Sequence, residues 1–191
     1  MKADIERILI DAGRIQHRIG EMADEIVRDY APPSGPDAPA AAEAGITIVP
    51  IMTGAMIFTA DLIRRMPIPL KINLMTVSSY PGAALRTQGS AIVAKQLGDV
   101  HGRRVLLIDD ILDSGGTLNL VVPVLQELGA ASVRTCVLLR KDRPAARAVQ
   151  ADYVGFDIPD EFVVGYGLDF DNTYRNLPDI CTLKESVYAP A

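Results

Sequence analysis

The stretch Val105 to Leu118, VLLIDDILDSGGTL, constrains the chain more than any other. Val105, Leu106, Leu107 and Ile108 form an apolar run too short for a helix, as expected of a parallel strand buried on both faces. Asp109 and Asp110 stand at its carboxyl end, the edge where open parallel sheets bind ligands because helix N-termini and their free N–H groups gather there. Ser114, Gly115, Gly116 and Thr117 read as a tight turn into a helix. The glycines permit positive φ and a close approach by a ligand, while unpaired N–H groups and hydroxyls offer donors to a phosphate. No GKS or GKT follows, so nothing supplies the lysine that reaches the outer phosphates of a nucleoside triphosphate. Acids beside an anion site need sugar hydroxyls, a metal or a proton as partners, and a ribose 5-phosphate meets that need.

The rest of the chain repeats the strand-turn-helix theme. Ile15, Ile19, Met22, Ile26 and Tyr30 recur at steps of three and four after a candidate N-cap at Asp11, which predicts an amphipathic helix over 12–29. His17 on that helix has no second histidine or cysteine at ligand spacing and reads as an ordinary helix residue. Residues 31–45 carry four prolines among small side chains and read as a surface loop. Strands are expected at 46–52, 71–77, 132–139, 153–158 and 162–166, with helices at 55–66 and 118–128. Gly129 would cap the second helix and Pro123 would kink or loosen it. Residues 78–91 have the glycine, proline and polar content of a mobile loop, on which Ser79, Tyr80 and Arg86 could close over a ligand. These units predict one α/β domain over 1–191, with a mostly parallel Rossmann-like sheet flanked by helices and extra short strands near the C-terminus.

Nineteen basic residues against 24 acidic give a net charge of −5 and a pI of about 5.0, a balance that argues against a nucleic-acid partner. Cys136 and Cys181 form no CxxC, and no secretory signal peptide is visible, which points to a reduced, cytoplasmic setting. Gly45 to Ala60 is uncharged but too short for a bilayer span and broken by Pro50 and Gly54, so no membrane partner is expected.

With Asp109 and Asp110 just ahead of Asp113 and the glycine turn, the central stretch resembles the phosphoribosyl-diphosphate (PRPP) motif of the type I phosphoribosyltransferases. Tyr153 to Leu177, YVGFDIPDEFVVGYGLDFDNTYRNL, narrows the resemblance to the hypoxanthine-guanine (6-oxopurine) phosphoribosyltransferases, together with MTGAMIFTADLI at 52–63 and SSY at 78–80. The resemblance implies the type I phosphoribosyltransferase fold with a small C-terminal, purine-binding hood over 153–185. It implies a purine salvage reaction, in which the 5-phosphoribosyl group passes from PRPP to N9 of hypoxanthine, guanine or xanthine and pyrophosphate leaves, with Mg2+ as cofactor. It also implies that Asp109 and Asp110 hold the ribose hydroxyls, that Asp113 handles the purine N7 proton, and that Ser114, Gly115, Gly116 and Thr117 take the 5′-phosphate. Thr53 and Gly54 would present backbone to pyrophosphate, Arg175 would reach it, and Ser79 and Tyr80 would lie on the closing loop. Around the base, Lys141 would donate to O6, Phe162 would stack, Val163 would offer backbone hydrogen bonds, and Asp169 would bind magnesium beside the purine. Asp109 and Asp110 are further metal candidates. Thr53 and Gly116 stand where many and some members of the family, respectively, carry a basic residue. The family commonly forms homodimers and homotetramers. A second reading is a regulatory RNA-binding protein built on the same fold; the acidic balance, Lys141 and the hood segment weigh against it.

Overall fold

Side chains alternate along residues 104–112, sending Leu106 and Ile108 to one side of a sheet and Val105 and Leu107 to the other, where separate apolar clusters bury each pair. The computed structural model of the protein describes residues 1–31, 45–78, 85–87, 90–93 and 98–188. In chain order, β1 (Ile5–Ile10) leads into α1 (Ala12–Tyr30), followed by β2 (Ile46–Met52), α2 (Met56–Ile63), β3 (Leu70–Ile72) and β4 (Met75–Ser78). Next come β5 (Leu85–Thr87), β6 (Ser90–Val93), β7 (Arg104–Leu112) and α3 (Gly116–Glu127). The last elements are β8 (Ser132–Lys141), α4 (Pro144–Arg147), β9 (Tyr153–Ile158), β10 (Val163–Val164), β11 (Ile180–Leu183) and α5 (Glu185–Tyr188).

The main sheet runs β5-β6-β4-β2-β7-β8-β9, with β3 beside β4 on the same edge of β2. Every pairing from β3 and β4 through β2, β7 and β8 to β9 is parallel, and β6, antiparallel to both β4 and β5, is the one strand of this sheet that runs the other way among the described residues. One face is covered by α1 and α2, the other by α3. The Asp11 side chain accepts from the Arg14 N–H at 3.0 Å, as the sequence leads one to expect, and α1 then buries Ile15, Ile19, Met22, Ala23, Ile26 and Tyr30 against the sheet. His17 is largely exposed beside Glu21, in keeping with an ordinary helix residue. Among the described residues no helix is long and apolar enough to cross a membrane.

Several boundaries differ from the sequence reading, each for a physical reason. β7 continues through Asp109 and Asp110 to Leu112 because the ten-residue β8 keeps pairing with it, Asp109 against Val137 and Ile111 against Leu139, after β2 has dropped away at Pro50. The expected strand 71–77 breaks into β3 and β4 at Asn73, whose N–H still donates to Ile48 O at 2.9 Å. The helix expected over 55–66 tightens after Ile63 into three-residue turns, Arg65 N to Leu62 O and Met66 N to Ile63 O. α3 runs on through Pro123, and Gly129 at φ 84° ends it, with Ala130 N donating to Leu125 O. Within the expected loop 78–91, residues 85–87 and 90–93 pair as antiparallel strands, while Ser79 and Tyr80 lie outside the described residues, as do 32–44.

The C-terminal segment divides. Tyr153–Ile158 is the edge strand of the main sheet, whereas β10 and β11 join the unforeseen β1 in a small antiparallel sheet of order β1-β11-β10. The expected strand over 162–166 shrinks to Val163–Val164, because residues 165–167 adopt positive φ.

Candidate active site

From β2 the chain steps to β3 and β4 on one side, and from β7 it steps to β8 on the other. The order of strands therefore reverses between β2 and β7, and such a switch point opens a crevice at the carboxyl ends of the strands. Two loops enter it. After β2, the Met52–Thr53 peptide is cis, Thr53 is exposed, and Thr53 O accepts from Met56 N at 3.1 Å. Gly54 follows so close to β7 that a Cβ there would lie 1.8 Å from an Asp110 carboxylate oxygen. After β7, Asp113 to Gly115 turn the chain into α3. Gly115 needs φ 81°, and a Cβ on it would meet Val149 at 2.2 Å. No side chain caps α3, so the N–H groups of its first turn are offered outward beside the exposed Ser114 and Gly116 and the half-buried Thr117.

Asp109 is 6 % exposed, and Asp110 is partly buried above it. The Asp110 N–H donates to Asp109 Oδ1 at 3.0 Å, and among the described residues neither carboxylate is in an ion pair. Burial, reinforced by the neighbouring Asp110 charge, pushes Asp109 well above the ordinary carboxylate range; burial also raises Asp110. Such carboxylates seek hydroxyl donors or a cation. Toward β8, Asp113 Oδ1 receives Arg143 Nη1 at 2.5 Å and lies 3.5 Å from Lys141 Nζ. Asp160 completes a four-charge ring, 3.4 Å from Lys141 Nζ and 3.2 Å from Arg143 Nε.

The hood closes the crevice from above. Gly165, Tyr166 and Gly167 have φ of 97°, 51° and 106°. A Cβ on Gly167 would stand 2.2 Å from Gly54 O, so the two segments meet backbone to backbone. Arg175 Nη1 donates to Gly167 O at 2.7 Å, and its Nη2 pairs with Asp169 Oδ1 at 2.7 Å. The other Asp169 oxygen accepts from Asn172 N at 2.9 Å. Below this arch lies a cavity of about 190 Å³ lined by Asp110, Ile111, Asp113, Lys141, Phe162, Val163, Leu168 and Asp169. Phe162, 44 % exposed at its rim, is held edge-on by Phe170 with ring centroids 5.7 Å apart.

A phosphoribosyl transferase domain matches residues 9–171, most of the chain. A hypoxanthine-guanine phosphoribosyltransferase of Mycobacterium tuberculosis (strain ATCC 25618 / H37Rv) is 41% identical over 186 residues, covering 97% of this chain and 89% of that one. The chain belongs to the hypoxanthine-guanine phosphoribosyltransferase family. The enzyme of the same name from Bacillus subtilis (strain 168) is 40% identical over 191 residues, covering 98% of each. Among solved structures, a hypoxanthine phosphoribosyltransferase from Staphylococcus aureus superposes with a TM-score of 0.85 at 36% identity, covering 100% of this chain and 97% of that one.

In this phosphoribosyltransferase, six of the residues picked from sequence line one cavity: Asp110, Asp113, Lys141, Phe162, Val163 and Asp169. Asp109 lies beneath it, Gly54 and Arg175 border it through Asp110 and Asp169, and Ser114 to Thr117 form the adjoining helix start. Arg143, Asp160, Leu168 and Gly167 were not singled out. Arg143 stood in a visible charge run, RKDR, but its partner Asp113 is 30 positions away, a pairing that spacing alone does not reveal. For Gly167 a signal was present, since glycines on both sides of Tyr166 announce positive φ.

Proposed function

We propose that the protein is a purine salvage enzyme that transfers the 5-phosphoribosyl group of PRPP to N9 of a 6-oxopurine, giving the nucleotide and pyrophosphate. The observation that carries this reading is the crevice in which a helix start without a side-chain cap, the Asp109–Asp110 pair, in no ion pair among the described residues, and the Lys141–Asp113 contact adjoin. In support, a hypoxanthine phosphoribosyltransferase from Trypanosoma cruzi, at a TM-score of 0.80 and 34% identity, has been solved complexed with the product IMP.

Each group then has a task. The free N–H groups of α3 and the hydroxyls of Ser114 and Thr117 take the 5′-phosphate, and Asp109 and Asp110 accept hydrogen bonds from the ribose 2′ and 3′ hydroxyls. Phe162 covers one face of the base and Val163 offers backbone groups to its edge. Lys141 leaves Asp113 to donate to O6, while Asp113, still held by Arg143, receives the N7 proton. Adenine is disfavoured because its 6-amino group meets a donor where an acceptor is required, leaving buried groups unpaired at about 1–3 kcal/mol each. Thr53, Gly54 and Arg175 border the pyrophosphate side; Ser79 and Tyr80, which the resemblance implies for a closing loop, lie outside the described residues.

Among the described residues no three acidic or other ligating side chains converge into a ready metal cage. Magnesium does not need one, since it is usually held by one or two carboxylates together with substrate phosphates. Asp110 and Asp169 face the same cavity with hard oxygen donors and Asp109 lies below, so these carboxylates fit Mg2+, which when bound would neutralise the departing pyrophosphate. The test is direct. Purified protein supplied with PRPP, Mg2+ and hypoxanthine should release IMP and pyrophosphate; absence of nucleotide from hypoxanthine, guanine and xanthine alike overturns the reading.

A further inference from the structure

One part-buried polar cluster lies outside the ligand cavity. Tyr166, 5 % exposed, points its hydroxyl away from the base pocket and donates to Asp61 Oδ2 of α2 at 2.5 Å. The same oxygen receives Gln16 Nε2 of α1 at 2.7 Å, and Gln16 Nε2 is also 3.3 Å from the Tyr166 hydroxyl. Arg65 Nη2 donates to Gln16 Oε1 at 2.8 Å, and Arg64 pairs with the second Asp61 oxygen. Burial opposes ionisation of Asp61, yet donors from Tyr166, Gln16 and Arg64 outweigh it and hold the carboxyl below its ordinary range. Burial and Asp61 together push the Tyr166 hydroxyl far up. The contact is therefore a neutral hydroxyl on a carboxylate, among the stronger hydrogen bonds a protein makes.

Its position gives this cluster a consequence. Tyr166 sits at φ 51°, a region that costs a non-glycine residue about 1–3 kcal/mol and persists where the surroundings enforce it. Its neighbour Gly167 rests on Gly54 O, Gly54 rests on the Asp110 carboxylate, and Gly167 O anchors Arg175, which in turn holds Asp169. Asp61 lies on the helix that begins immediately after the Gly54 loop. Phe162 and Val163 are secured separately, through the pairing of β10 with β11 and the Phe162–Phe170 contact.

We propose that Gln16, Asp61 and Tyr166 are positioning residues, a latch between the first two helices and the hood that sets the Gly167–Gly54 approach and thereby the pyrophosphate side of the PRPP site. This rests on the function proposed above and assigns the latch to one substrate rather than the other. Tyr166→Phe keeps the ring and deletes the bond; Asp61→Asn keeps the shape and deletes the charge. Each should raise KM for PRPP about ten-fold with KM for hypoxanthine changed less than about two-fold, the size expected when a charge-assisted bond is lost. The double variant should lose little beyond Tyr166→Phe alone, since both substitutions act on the same contact. Amide hydrogen exchange over residues 165–177 should quicken in Tyr166→Phe whether or not the protein turns over substrate.

The inference is overturned by unchanged exchange in that segment, by PRPP KM values within about two-fold of the parent in both variants, or by both KM values rising together. A fall in melting temperature without a selective PRPP effect marks a purely structural contact and overturns it as well. If the unaltered protein makes no nucleotide while exchange responds as expected, the proposed reaction fails and the latch stands as a feature of the hood.

Discussion

Asp113 is oriented before any base arrives, with Arg143 at 2.5 Å and Lys141 at 3.5 Å from the same oxygen. Asp113→Asn preserves that shape but removes the proposed proton acceptor, so turnover should fall about 100-fold or more while PRPP binding, followed by calorimetry, stays near the parent value. Equal losses in both would contradict the role. At Gly115 the demand is conformational: Gly115→Ala places a side chain at φ 81° and 2.2 Å from Val149, which should cost about 1–3 kcal/mol in urea denaturation. The role of Gly115 was readable, because two glycines after an acid at a strand end have few structural uses. The burial of Asp109 was not readable, since it depends on how far β8 accompanies β7, a property of the neighbouring strand.

At the level of elements, helix α1 and the central strand were legible because their periodicities are strong and local: five apolar positions at helical spacing, and an unbroken apolar run before the acids. β1 was not. Its IERILI leaves most positions part-exposed or exposed, and the strand that pairs with it, β11, lies some 175 residues further along the chain. The C-terminal end of α1 is tied to β8 and β9 by Asp29, which accepts from the Tyr153 hydroxyl at 2.7 Å and pairs with Arg134 at 2.5 Å. The Tyr153 bond first, then the Arg134 contacts, hold Asp29 below its ordinary 3.8 despite the opposing effect of burial. A depressed folded pKa means that this carboxylate stabilises the protein above pH 3.8 and that its contribution vanishes as pH falls through the lower, folded value. Asp29→Asn should therefore melt below the parent at pH 7, and the gap should close as melts are taken at successively lower pH beneath 3.8; a constant gap would show that the carboxylate charge is not involved.

Across the whole molecule, a net charge of −5 offers an anion no broad positive field, so the proposed phosphate site relies on the local N–H groups at the start of α3. Filling that nest should be visible in stability, because a ligand that binds only the folded chain adds about 2.7 kcal/mol at a hundred times its dissociation constant. PRPP with Mg2+, and IMP alone, should each raise the melting temperature, whereas a structured RNA at moderate salt should not. Family and reaction class were legible because motifs in fixed order survive without knowledge of packing; the closure of the hood was not, because it depends on contacts between residues such as 54 and 167 that share no local pattern. That main-chain junction has an architectural corollary. Where two peptide planes abut with no side chain between them, the aperture has no adjustable rotamer, so its gauge is inherited with the scaffold. Side-chain substitution can then reshape the cavity walls, as at Lys141 and Phe162, while the Gly54–Gly167 junction itself offers no side chain to exchange.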